Sequence, residues 1–396
     1  MKHAAAICLT LSALWASACT QAPLVSEPPA PESATEEQAK QADSALIPDA
    51  PEIVVPAIPE PESTAPPPPP ITIAAVGDIM LGTDYPRNRL PDNDASILAS
   101  VAPLLASAEL TFGNLEGTLM DGGEPAKQCQ NPSLCYLFRT PSRYAKHLSD
   151  AGFDMLSLAN NHARDFGEEG RSASMLALDN AGIAHSGREG DVAVVNVNGR
   201  EVAMLAFAPN IGAHSINDVA RAAELVGTLA ARHALVIVSF HGGAEGPDAL
   251  HVKPGVETYY GENRGDIMAF SRAVIDAGAD LVIGHGPHVP RGIEIYKGRL
   301  IAYSLGNFAT HFGISVTGIK GLAPILFVTL TGDGRFRKGQ VVSTRQRRPD
   351  GPVPDPSQEA FKLIRQLSLE DFGPNAPVFG PGGEIFPPEA SSTELP

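Results

Sequence analysis

The chain has 396 residues, with 45 acidic against 29 basic side chains and a formal net charge of −16. That balance argues against nucleic acid and against anionic membrane surfaces as partners held by charge. A polyanion is compatible with it only where a metal or a local basic patch reverses the field.

Lys2 and His3, the apolar run Ile7 to Trp15 and the small-residue end Ala16-Ser17-Ala18 read as a signal peptide over residues 1–18. The run is too short to remain as a spanning helix. Two fates fit its end. One is ordinary cleavage after small residues. In the other, the Ala16-Ser17-Ala18-Cys19 run resembles a bacterial lipobox, with Cys19 lipidated and tied to a membrane. Either fate predicts an exported protein of the cell envelope or periplasm. Residues 19–70 are rich in Pro, Glu, Ala and Ser and end in Pro66 to Pro70, which predicts a disordered tether. At ~3.1 Å per residue it would reach on the order of 150 Å. Residues 71–345 then form the folded domain, and 346–396 a Pro/Gly-rich tail with one short helix at Glu359 to Leu369. Cys129 and Cys135 flank Asn131-Pro132. In an oxidising compartment they predict a disulfide, a zinc pair being the weaker alternative because no second pair completes it.

In chain order, the domain opens with an apolar strand, Ile71 to Val76, followed by Gly77-Asp78. A helix is expected over 92–107. The strand Leu110 to Phe112 ends in Gly113-Asn114-Leu115-Glu116. A helix over 141–151 precedes the strand 154–158, which ends in Ala159-Asn160-Asn161-His162. A helix over 168–181 is followed by a hairpin, 192–207, turning at Asn198-Gly199. The helix 216–232 leads to the strand Leu235 to Phe240 and then His241. The helix 266–278 leads to the strand Leu281 to Ile283 and the run Gly284-His285-Gly286-Pro287-His288. Strands 292–296 and 300–304 end in Leu305-Gly306-Asn307-Phe308, and a hairpin pair, 325–331 and 340–344, turns at Asp333-Gly334. Alternating strands and helices predict an α/β layered fold.

Asp78, Glu116, Asn161, His162, His241, His285 and His288 all follow apolar strands, at the sheet edge where α/β proteins bind ligands. Carboxylates, imidazoles and an amide together form a ligand set for zinc, manganese or iron. Six ligands exceed what one catalytic ion needs, so two ions suit the set better and would activate water for attack on phosphorus or a carbonyl carbon. His162 is the candidate general acid or base. Glu245 stands as a further ligand, acid or substrate contact. Arg291 would clasp a carboxylate or phosphate, and Asn307 would support the site or touch substrate. His251, Tyr259, Tyr260 and Arg264 would line a groove for an anionic polymer.

Taken in order, Gly77-Asp78, Gly113-Asn114-Leu115-Glu116, Asn160-Asn161-His162, His241 and Gly284-His285-Gly286-Pro287-His288 resemble the calcineurin-like metallophosphoesterases. More narrowly, with Asn160 to Gly167 and Ser304-Leu305-Gly306-Asn307-Phe308, they resemble the CapA/PgsA family of poly-γ-glutamate capsule synthesis proteins. The resemblance covers about Ile71 to Arg345. It implies a four-layer α-β-β-α sandwich with a dinuclear centre at the strand carboxyl ends. Asp78 and His288 would hold the first metal, Glu116 would bridge, and Asn161, His241 and His285 would hold the second. His162 would serve the leaving group. The substrate would be an anionic envelope polymer, with capsule synthesis and export machinery as partners; a small phosphoester, or polymer capture without turnover, are the alternatives. Two positions depart from the phosphoesterase pattern. Met80 stands where it has a histidine and Glu116 where it has an aspartate, so one ion instead of two remains open. No ATP-binding GxxxxGK[ST] loop is present, so the chain should not itself polymerise at the expense of ATP.

Overall fold

The computed structural model describes residues 68–128 and 135–388. The apolar runs form two mixed sheets. In the first, the strand order is Val378–Phe379, Glu384–Phe386, Phe336–Val342, Ile325–Leu330, Ile71–Met80, Leu110–Leu115, Met155–Ser157 and Ala184–Ser186, and Asn307–Thr310 joins the end of Ile71–Met80. In the second it is Ile293–Tyr296, Arg299–Ala302, Leu281–His285, Leu235–His241, Arg200–Ala208 and Ala193–Val197.

The strands are apolar throughout because both faces are covered. Along the first strand, Ile73 and Ala75 face the core between the sheets, while Ala74 and Val76 pack outward. In the second sheet, Ile237 faces inward and Val236 and Val238 outward. This is the period-2 alternation of a pleated strand with two buried faces. The outer face of the first sheet is closed by Leu105, Tyr144, Leu148 and Leu178. That of the second is closed by Ala222, Val226, Phe270 and Val274, from the helices Val219–Ala230 and Ile267–Asp276. The result is the expected four-layer α-β-β-α sandwich. Asp218 and Asp266 cap these two helices by accepting from the amides of Arg221 and Ala269.

Three expectations are corrected. The helix over 92–107 reduces to the single turns Asp92–Asp94 and Ala102–Leu105, since Asn93 and Asp94 adopt positive φ and break the run. The first strand runs on to Met80, carrying Asp78 inside it. The domain does not end at Arg345. Beyond it, the helix Glu359–Phe372 puts Phe361 and Ile364 into the core between the sheets, and Glu384–Phe386 pairs with Phe336–Val342. The tail is part of the fold because its apolar residues complete that core. Cys135 is disulfide-bonded. Cys129, its expected partner, and Cys19 lie outside the described residues. Among the described residues, no helix is long and apolar enough to cross a membrane.

Candidate metal centre

Both sheets deliver polar residues to one end of the sandwich. The close approach that allows this rests on Gly77 and Gly284. A Cβ at Gly77 would lie 1.9 Å from the Gly306 carbonyl, and one at Gly284 would lie 2.3 Å from that of Tyr303. The amide of Asp78 donates to Gly306 O at 2.8 Å, which brings Asn307 alongside. Gly284 therefore serves close packing within a strand, while the turn belongs to Gly286, at φ +109.

At this end, Asp78, Glu116 and His288 each place a ligand atom within 4.8 Å of the others. Asp78 and Glu116 are completely buried. Asn114 donates to Asp78 Oδ1 at 2.9 Å. His288 Nδ1 lies 3.1 Å from Asp78 Oδ2 and 2.9 Å from Asn307 Oδ1. Its Nε2 then faces Glu116 Oε1 at 3.7 Å and Glu245 Oε2 at 3.9 Å. His288 sits at φ +58, a conformation uncommon for a side-chain-bearing residue that clusters at functional sites. Asn307 is fully buried, and its amide nitrogen donates to the carbonyls of His288, Ser315 and Lys320. Of the two roles expected for Asn307, these contacts match support of the site, because it orients His288, and its amide nitrogen and oxygen are both engaged within the fold.

His241 and His285 are not among the residues that meet at that distance, and Asn161 lines the same cavity as His288. His241 lies opposite His285 in the strand register and has no hydrogen-bond partner at either ring nitrogen. His285 Nε2 is 3.1 Å from the Val76 carbonyl. Both oxygens of Glu116 and Oδ1 of Asn161 are likewise buried without donors. Unpaired buried carboxylate and imidazole atoms are costly unless a cation joins them. This donor set fits a divalent metal. Burial keeps His241 well below the usual imidazole range, with Arg264 and His288 adding to the effect. Burial also lowers His285, so both are in the neutral form that metal ligation requires.

The carboxylates show the complementary strain. Burial pushes Glu116 up to about 8, helped by Asp78 and Glu245 and opposed by His288. Burial alone would lower His288, but Glu116 and the hydrogen bond to Asp78 raise it to about 10. Without a metal, protons balance a surplus of negative charge at this point. Met80, at the position where a histidine ligand is missing, is buried with its sulfur accepting from the Gly82 amide at 3.3 Å. It is committed to packing.

His162 follows this cluster. Its Nδ1 is 2.8 Å from Asp165 Oδ2, and its amide donates to Asn160 Oδ1 at 3.0 Å. The ring lies against Phe138, centroids 4.4 Å apart. Burial lowers its pKa, opposed first by Asp165. Lys127 Nζ lies 3.2 Å from Asp165 Oδ1, and a carboxylate oxygen facing Nδ1 favours the tautomer that carries its proton there and leaves Nε2 as the acceptor. His162, Asn161, Glu245 and His288 line one cavity of about 470 Å³ with Lys127, Tyr136, Tyr259, Tyr260, Arg264 and Lys320. Glu245 Oε1 lies 3.3 Å from Arg264.

Two further candidates are elsewhere. Arg291 is completely buried, with a two-pronged pair to Glu257 at 2.9 Å and a bond to the Ala244 carbonyl. The expected clasp on a substrate anion is corrected, because the guanidinium is spent inside the fold. His251 pairs with Asp371 at 2.7 Å, away from the cavity lining. Sequence reasoning passed over Asp165 as an orienting group, although a carboxylate three residues after a histidine was a usable signal. Glu257 carried none.

A family model described as "Bacterial capsule synthesis protein PGA_cap" matches residues 72–311. The PGA biosynthesis protein CapA of Bacillus subtilis (strain 168) is similar, 28% identical over 308 residues, covering 76% of this chain and 78% of that protein. The capsule biosynthesis protein CapA of Bacillus anthracis is 28% identical over 249 residues, covering 60% and 59%. Among solved structures, a 5′-nucleotidase precursor from Thermus thermophilus aligns with a TM-score of 0.39 at 15% identity, over 75% of this chain and 58% of that one.

Proposed function

The chain belongs to the bacterial capsule synthesis protein family PGA_cap, and on that premise we propose an exported, lipid-anchored protein that acts on poly-γ-glutamate or a related anionic envelope polymer through a metal-dependent hydrolase-type site. The observation that carries the reading is the set of buried donors without partners, Glu116, Asn161 and His241, around His288 and Asp78. Asp78, Glu116 and His288 would hold one divalent ion, and Asn161, His241 and His285 a second, as manganese, zinc or iron. A bound divalent ion supplies an activated water and a Lewis acid to such a site.

The chain's own residues do the rest. Asp165 holds the His162 ring with Nε2 free to exchange a proton with a group in the cavity. Phe138 fixes the plane of that ring. Asn307 and Asp78 fix His288 through Nδ1, so only Nε2 can turn to a ligand. Lys320 gives an anionic substrate opposite charge at the cavity, whereas Lys127 is paired with Asp165 and the buried Arg264 with Glu245 and Glu262. Polymer capture without turnover is the second reading, favoured by the engagement of Met80 in packing.

Elemental analysis of the purified protein, with His285→Ala beside it, tests the reading. About two equivalents of transition metal, reduced in the variant, together with release of shorter chains from γ-linked polyglutamate, are expected. One equivalent would mean that Met80 has silenced a site. Absence of metal under replete conditions would overturn the hydrolase and leave capture.

A further inference from the structure

Tyr136, Phe138 and Gly313 line the metal cavity and also a second hollow of about 380 Å³, so the two share a wall. The second hollow has a different character. Arg87 and Arg89 line it together with Tyr85 and Phe312, and its described lining contains no carboxylate. Arg89 lies over the Phe312 ring at 5.6 Å, and Arg348 lies over the same ring at 5.3 Å. All three arginines are exposed, and none forms an ion pair among the described residues. Asp84, the carboxylate on the same segment, is committed to Arg139 at 2.6 Å.

This is unusual in a chain with a net charge of −16. Three exposed guanidiniums without an ion pair among the described residues, two of them lining the hollow, raise the local positive potential. Phe312 itself is held at φ +61, a strained conformation for a bulky aromatic residue that persists only where its surroundings enforce it. Guanidinium groups bind carboxylates in a two-pronged geometry, and an aromatic wall suits the short apolar stretch between successive acidic groups of a chain.

Building on the polymer reading above, we propose that the Arg87–Arg89–Phe312 hollow is an anion subsite for a neighbouring acidic unit of a carboxylate-bearing chain whose other unit lies over the Glu116–His288 cluster. The ligand is therefore an extended polyanion gripped at two places, and a single small anion fills only one of them.

The test uses the full chain loaded with manganese and two fluorescent probes, a single glutamate unit and a γ-linked glutamate chain of ten units. The longer chain should bind about tenfold tighter, with a steeper loss of affinity on adding salt. In Arg87→Gln/Arg89→Gln that advantage should fall to near onefold, while metal content and affinity for the single unit hold. Equal affinity for both lengths in the wild type, or an advantage unchanged in the variant, would overturn the subsite. An arginine-dependent length effect with polyphosphate and none with glutamate would overturn the carboxylate assignment. Metal content separates the two readings: protein that holds metal but shows no length effect refutes the subsite alone. An arginine-dependent length effect in protein without metal refutes the hydrolase and keeps the subsite.

Discussion

Replacing Glu116 with Gln should stabilise the metal-free protein and abolish its stabilisation by metal. In the folded chain, burial pushes the Glu116 carboxyl from 4.5 up to about 8. At pH 7 it is protonated when folded and ionised when unfolded, a mismatch costing about 3 kcal/mol at roughly 1.4 kcal/mol per pH unit. Gln keeps the shape and is neutral in both states, so it removes that cost. For a folded unit of about 300 residues, unfolding entropy of roughly 2 cal/mol/K per residue converts this to a rise in Tm of about 5 °C. The sign follows from the raised folded pKa. The group stabilises fully below 4.5 and loses that contribution as pH climbs through about 8, so the gap between variant and wild type should widen from pH 5 to pH 8. Metal at about a hundred times its Kd should stabilise the wild type by about 2.7 kcal/mol and the variant far less. Calorimetry with chelator and with manganese reads both effects. A lower Tm for Glu116→Gln under chelation at pH 7, or an undiminished response to manganese, would refute the reasoning.

His162→Ala should lower kcat on any hydrolysed substrate by about 10²–10⁴-fold while leaving metal content unchanged; metal loss in parallel would make His162 a ligand instead. Asp280 is raised to about 6 by burial, against its bond from the Val236 amide and the nearby Arg299. It therefore stabilises below 3.8 and loses that contribution as pH rises through about 6. Denaturant titrations at pH 4 and pH 7.5 should show Asp280→Asn improving relative to wild type by up to about 3 kcal/mol, and a constant difference would rule out the strain. Ile364→Ala removes a fully buried side chain between the sheets and should cost about 2–5 kcal/mol in urea unfolding. A loss under about 0.5 kcal/mol, the usual range of surface substitutions, would mean the C-terminal helix is an accessory.

Local chemistry accounts for what was legible in the sequence. Strands such as Leu235–His241 and Leu281–His285 are short apolar runs closed by histidine, and Asn198-Gly199, both at positive φ, marks its hairpin without any tertiary help. Those signals span only a few residues, so composition and period suffice to read them. They also named the edge at which the polar residues gather.

Only the tertiary structure decided which atoms meet. His288 reaches Asp78 across 210 positions and Glu116 from the other sheet, and no periodicity encodes that pairing. Arg291 looked available until Glu257, 34 residues earlier in the chain, proved to hold it. The helical spacing of Phe361 and Ile364 marked an apolar face in the tail, but only the fold showed that this face fills the space between the sheets. Whether a polar side chain is a ligand, a support or a buried pair depends on the partner that offsets its desolvation, and chain folding chooses that partner over distances that local sequence does not describe.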